Sequence, residues 1–194
     1  MTITTIRHGQ TAWNLEGRWQ GHTDISLDET GILQGKKVAA RLANTPCDII
    51  YTSDLSRAAD TAGFIAAHHA ADVMMTRNLR EMAFGIFEGR TVSNEVFVEM
   101  AEYDKAGKPY PGAESPRALF ARISNFLDDV LLRGHENIFL VSHGGTILAI
   151  IGYFLRLSVE DLMEMPVGNT AIHVFKKLPA GWTMTTENDT RHLT

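Results

Sequence analysis

Hydrophobic and polar positions alternate first over Thr2 to Arg7, where β-branched residues recur until Gly9. That pattern predicts a short strand. From Leu27 to Leu42 the period changes to that of a helix. Asp28 is its capping candidate, and Ile32, Gly35, Val38, Ala39 and Leu42 share one face. Asp48 to Ser53 reads as a second strand. Ser56 to Ala67 reads as a helix with Ala59, Ala62, Ile65 and Ala66 inward, and Val73 to Thr76 as a short strand. Residues 101–116 lose hydrophobic periodicity, contain Gly107, Pro109, Pro111 and Gly112, and are expected to form a loop. Ser115-Pro116 then opens a helix, with a hydroxyl N-cap and proline at the first helical position. Its apolar stripe runs through Leu119, Phe120, Ile123, Phe126, Leu127, Val130 and Leu131.

Asn137 to Val141 is a strand apolar throughout, as expected where both faces are covered. Gly144-Gly145 leads into an apolar helix ending at Leu155, and Ala171–Phe175 and Trp182–Thr186 form a closing pair of strands. Alternating strands and helices predict a three-layer α/β/α sandwich around a mostly parallel sheet. At 194 residues the chain has the length of a single domain, expected over 1–194.

Charge narrows the function. Eighteen basic and 23 acidic residues give a net charge of −5, which argues against a general nucleic-acid binder. The single cysteine, Cys47, can form neither an internal disulfide nor a multi-cysteine metal site. The opening residues lack a basic stretch followed by an apolar one, so no signal peptide is expected. The longest apolar run, Ile147 to Leu155, is too short to span a bilayer. A cytoplasmic protein without a membrane anchor is expected.

Ligands of parallel sheets bind beyond the carboxyl ends of the strands. The first strand is followed by Arg7, His8 and Gly9; the second by Ser53, Asp54 and Arg57; the third by Ser142, His143, Gly144 and Gly145. Two histidines and two arginines therefore share one predicted rim. Singly, each is an ordinary loop or surface residue; together they suit a phosphoryl group. Guanidinium forks bind its oxygens by charge-assisted hydrogen bonds. Helix N-termini and glycine turns add backbone N–H donors. A neutral imidazole can attack phosphorus, and a second can stabilise the transition state. The leaving oxygen needs a proton, for which Glu81, Glu88 and Glu114 are the candidates.

Other chemistries fit less well. Gly31 to Lys37 lacks P-loop spacing, and Leu140 to Gly144 lacks the first glycine of a serine-hydrolase elbow. Position 53 is serine, where a cysteine phosphatase built on Cys47 would need arginine. His68 and His69 diverge by about 100° on a helix and are expected at the surface rather than on a metal.

The ordered blocks resemble a known family. Arg7-His8-Gly9-Gln10-Thr11-Ala12-Trp13-Asn14 is similar to the Arg-His-Gly signature of the histidine phosphatase superfamily, the phosphoglycerate-mutase-like family. Gly17-Arg18-Trp19-Gln20-Gly21-His22-Thr23-Asp24, Tyr51 to Ala62 around Arg57, Leu79-Arg80-Glu81 with Gly85, Glu88 and Gly89, Pro111 to Ser115, and Val141 to Gly145 follow in family order. The resemblance covers nearly the whole chain.

It implies a two-step mechanism. His8 is the nucleophile and becomes phosphohistidine. Arg7, Arg57 and His143 bind the phosphoryl group, and Glu81 protonates the leaving oxygen and then activates water. Asn14, Gln20, Gly21 and the Gly144 N–H are further substrate contacts. No metal or organic cofactor is required. Phe87 and Leu148 depart from many relatives, which carry tryptophan and arginine there, so the substrate stays open.

Hydrolysis of a small phosphorylated metabolite, by a monomer or homodimer, is the expected activity. The alternatives are a cofactor-dependent phosphoglycerate mutase and a non-catalytic phosphate-binding protein on the same fold. The span 91–116 has only Lys105 and Lys108 as cations and no arginine, which favours hydrolysis. Residues 82–115 are expected to form a lid or substrate segment, made apolar by Phe84, Phe87, Val96, Phe97 and Tyr103.

Overall fold

A computed structural model describes residues 1–158, 161–162 and 164–194. Six strands, β1 (Thr2–Arg7), β2 (Ile49–Ser53), β3 (Asp72–Thr76), β4 (Asn137–Ser142), β5 (Ile172–Leu178) and β6 (Gly181–Asp189), form one sheet in the order β3-β2-β4-β1-β5-β6. β3, β2, β4 and β1 are parallel; β5 runs antiparallel to both β1 and β6. The helices of the described residues are α1 (Ala12–Leu15), α2 (Glu29–Leu42), α3 (Ser56–Ala66), α4 (Asn94–Lys105), α5 (Pro116–Leu132) and α6 (Gly144–Leu155).

Two apolar layers flank the sheet, as alternate strand side chains require. On one side Ile6, Ile50, Phe139 and Val141 pack against Val38 and Leu42 of α2 and Ala58, Ala62 and Ile65 of α3. On the other, Ile3, Ile138, Leu140 and Phe175 pack against α5 and α6. This is the α/β/α sandwich that the periodicity predicts. Asp28 caps α2 by accepting from the Gly31 N–H at 2.7 Å, and Ser115 caps α5 by accepting from the Ala118 N–H. No helix of the described residues is long and apolar enough to cross a membrane.

Three details differ from the sequence reading. Ile32 is 37% exposed, and Gly31 takes the buried place on α2. On α3 the inward residues are Arg57, Ala58, Thr61, Ala62 and Ile65, while Ala59 and Ala66 are half-buried. The helix is rotated so that a charged side chain faces inward, which an apolar-only count does not anticipate. The expected loop at 101–116 begins as the last turn of α4, which lies across 94–105. The signal was available: Val96, Met100 and Tyr103 have helical spacing, and the Tyr103 ring packs edge-on to Phe87 and Tyr110.

Candidate active site

Register sets the floor of the site. Arg7 is paired with Ser142 across β1 and β4, so the next residues, His8 and His143, leave the sheet side by side. Their rings lie 5.1 Å apart at 59°. Both are buried among cations. The His8 Nδ1–H donates to the Gly9 carbonyl at 2.6 Å. That bond fixes the tautomer and leaves Nε2 with its lone pair, as a nucleophile requires. Burial, then the charges of Arg7 and Arg57, hold the His8 imidazolium well below the usual range, so the ring is neutral near pH 7.

His143 has the opposite tautomer. Its Nδ1 accepts from the Arg57 Nε–H at 3.2 Å, so the proton resides on Nε2. Burial and the neighbouring Arg57 push its basicity well down. Its Nε2 is out of solvent with no partner, a donor without an acceptor. One imidazole thus offers a lone pair and its neighbour an N–H.

Arg57 is fully buried on the first turn of α3. Its Nη1 and Nη2 donate to the carbonyls of Thr23 and Gly21 at 2.9 and 2.8 Å. Burial lowers it to about 10, still cationic at neutral pH. Arg7 donates through Nη1 to the Val167 carbonyl at 2.5 Å, while its Nε is buried without a partner. Burial also lowers Arg7, opposed by the Glu81 charge. Thr61 fastens α3 to the end of β1, accepting from the Gly9 N–H and donating to the Arg57 carbonyl.

Of the three candidate acids, geometry favours one. Glu114 is engaged by Arg122 at 2.6 and 3.0 Å. Glu88 accepts from the backbone N–H groups of His22, Thr23 and Phe84 and from the Thr23 hydroxyl, which outweigh its desolvation and hold its carboxyl below the usual range. Glu81 lines the same cavity as Arg7, His8 and Arg57. Its carboxylate accepts from the N–H groups of Met82, Gly145 and Thr146 at 2.9, 3.1 and 3.2 Å, the last two being free amides of the first turn of α6. A Cβ at Gly145 would come within 2.7 Å of Glu81 Oε1, so a larger residue there would displace the carboxylate. The Glu81 carbonyl accepts from His22 Nε2, Ser142 Oγ donates to the Leu79 carbonyl, and Thr146 Oγ1 donates to that of Arg80. These bonds draw the chain from edge strand β3 back to the centre of the rim.

Asn14 and Gln20 line the cavity too, with Gly21, Arg18, Trp19, Phe84 and Val92; its volume is about 160 Å³. Asn14 Oδ1 accepts from Thr11 N–H, Thr11 Oγ1 and Asn169 Nδ2, which turns its own amide N–H groups away from them. Gly144 is the first residue of α6, where a backbone N–H has no intrahelical partner. Gly21 has φ +53, and its carbonyl holds Arg57. All nine predicted site residues therefore belong to one neighbourhood. A larger hollow of about 370 Å³ beside α2 is lined by no histidine. Burial raises the Cys47 thiol to about 11, so it is protonated at neutral pH.

Sequence reasoning missed Asn169 and Val167. Asn169 Nδ2 donates to the carbonyl of His8 at 3.1 Å as well as to Asn14. Both residues precede β5. Because β5 is antiparallel to β1, its start lies at the rim where β1 ends; looking only after strands passes over it. The apolar residues of 82–115 lie in different surroundings. Phe87 and Val96 are buried within that segment and Phe97 is half exposed, whereas Phe84 lines the cavity.

The family model of the histidine phosphatase superfamily (branch 1) matches residues 3–190. "Putative phosphoserine phosphatase 2" of Hydrogenobacter thermophilus is 31% identical over 173 residues, covering 86% of this chain and 85% of the relative. "Probable phosphoglycerate mutase GpmB" of Yersinia pestis is 29% identical, covering 100% of this chain and 95% of the relative. A crystal structure of a phosphoserine phosphatase mutant from Entamoeba histolytica in complex with phosphoserine superposes with a TM-score of 0.85 at 31% identity, covering 100% of this chain and 99% of that one. The chain belongs to branch 1 of the histidine phosphatase superfamily and is a phosphomonoesterase of that family.

Proposed function

We propose that the protein hydrolyses a small phosphorylated metabolite through a phosphohistidine on His8. The observation that carries this reading is the paired, opposite tautomers of His8 and His143 between two buried arginines. His8 Nε2 attacks phosphorus in line with the ester oxygen. Arg7 Nε, His143 Nε2–H and the remaining Arg57 donors take the equatorial oxygens as charge develops on them. The amides of Asn14 and Gln20 and the Gly144 N–H complete the cradle, and Gly21 walls it. Glu81 gives its proton to the leaving oxygen; as carboxylate it then takes one from the water that attacks phosphohistidine, which returns His8 and releases phosphate.

Residues 82–115 serve as a lid over this cradle and select the alcohol portion. A mutase would be expected to place additional cations over the cavity. Among the described residues the one further cation lining it, Arg18, is engaged by Glu16 and the Gly89 carbonyl, and Lys105 and Lys108 are exposed and do not line it, which favours hydrolysis. The non-catalytic reading is disfavoured because His8, His143, Glu81 and both arginines are all in place.

Quenching a reaction with 32P-labelled substrate into alkali tests the proposal. Wild type should yield an alkali-stable, acid-labile phosphoprotein. His8→Ala should yield none and lose about 10⁴-fold or more in kcat. Labelling of the His8→Ala protein would refute the assignment.

A further inference from the structure

Among the described residues, four of the ten buried side-chain polar atoms without partners lie at one place. Arg7 Nε, Trp19 Nε1 and Gln20 Oε1 belong to residues lining the same cavity, and His143 Nε2 is on the ring beside its floor. Leaving such an atom unpaired is costly, so clustered orphans mark where a ligand's own polar atoms belong. The atoms on Arg7 and His143 answer a phosphoryl group. Trp19 Nε1 has no role in that chemistry.

Trp19 is firmly held. Its backbone N–H donates to the Arg90 carbonyl at 3.0 Å, and its carbonyl accepts from the Gly89 N–H at 2.8 Å. Its ring packs against Phe84, 4.3 Å away, and Phe97, 6.4 Å away. The indole is thus a rigid wall between the 17–24 loop and the lid segment, with one hydrogen-bond donor and an apolar face. Beside it in sequence, and on the same cavity, Gln20 offers an orphan acceptor.

We infer that Trp19 is a specificity-determining residue whose indole N–H binds a hydroxyl on the alcohol portion of the substrate, making phosphorylated polyols the preferred class. The inference rests on the hydrolase reading above. A hydroxyl accepts and donates at once, so it answers Trp19 Nε1 and Gln20 Oε1 together. The other end of the Gln20 amide stays available to the phosphoryl oxygens. A plain alkyl group would leave both atoms unpaired, and sites built around a hydroxyl reject analogues that lack it.

The test compares glycerol 1-phosphate with propyl phosphate, which share the primary alkoxide leaving group but differ in the hydroxyls. Wild type should favour glycerol 1-phosphate in kcat/KM by about tenfold, mainly through KM. Trp19→Phe keeps the ring packing and removes the N–H. It should reduce that preference to within about threefold while leaving propyl phosphate turnover and inhibition by inorganic phosphate within about twofold. Equal kcat/KM for the two esters in wild type would overturn the inference and leave the hydrolase reading standing. So would a Trp19→Phe protein that weakens phosphate inhibition as much as glycerol phosphate hydrolysis, since the residue would then be a structural prop. Failure to hydrolyse any phosphomonoester would remove the hydrolase reading and this inference with it.

Discussion

At the floor of the cavity, side chains are held by hydrogen bonds to the ends of strands, to the first turn of α6 and to the 17–24 loop. His8 is tied to Gly9, Arg57 to Gly21, Thr23 and His143, and Glu81 to the amides that open α6. Across the cavity, residues 82–115 are held by their own aromatic contacts: Phe87, Tyr103 and Tyr110 pack edge to face at 5.4–6.3 Å. The floor is a polar network at the rim of the sheet, and 82–115, the cover in the proposed reading, contains a small apolar cluster. Changes to the floor should therefore act on the reaction at phosphorus, and changes to the cover on the choice of alcohol.

Glu81→Gln sharpens that contrast most. It keeps the size of the side chain and removes the transferable proton. Alkyl phosphates should lose roughly 10²–10⁴-fold in kcat, whereas aryl phosphates, whose leaving groups need little protonation, should lose far less. Stopped assays on the two ester classes decide the matter; equal losses would mean that Glu81 acts on the floor's geometry and not as the acid.

Beneath the floor lies a titratable group outside the reaction. His173 on β5 is fully buried, and both of its ring nitrogens lack partners. Burial pushes it down to about 4. A histidine whose folded value is depressed is neutral in the fold but protonates once unfolded. Its contribution is therefore full above the unfolded value near 6.5 and is lost as pH falls toward 4. By pH 5 about 2 kcal/mol of stability should be gone from this residue alone. Urea unfolding at pH 7 and pH 5 measures it, and the loss should shrink in His173→Leu. An undiminished loss in that variant would place the acid sensitivity elsewhere.

The smallest effect belongs to the cover. Phe97 is 48% exposed and touches the site only through the edge of Trp19. Phe97→Ala should leave inhibition by inorganic phosphate within about twofold, as expected of a surface residue. A larger change, read from phosphate inhibition, would break the division between floor and cover.

The same division explains what the sequence disclosed. His8, Arg57 and His143 could be located because each follows a strand, and parallel order alone brings those ends together. Glu81 was only one of three options, since the bonds that return it to the rim come from Ser142, Thr146 and His22, distant in the chain. Asn169 was hidden by strand direction. Trp19 stood only within a block of the family resemblance, because an unpartnered N–H is a property of surroundings and leaves no mark on periodicity. The contents of 82–115 were legible as apolar, but not which of them face inward.

One carboxylate sets how far these halves can diverge. Glu88 clasps His22 and Thr23, on the loop whose carbonyls seat Arg57, and also Phe84, where the covering segment begins. The root of the cover is thereby clamped to the guanidinium's seat, and only the stretch beyond it is at liberty to drift. A lineage could rewrite residues 92–112 to suit a new alcohol while its hold on phosphorus stayed as it was.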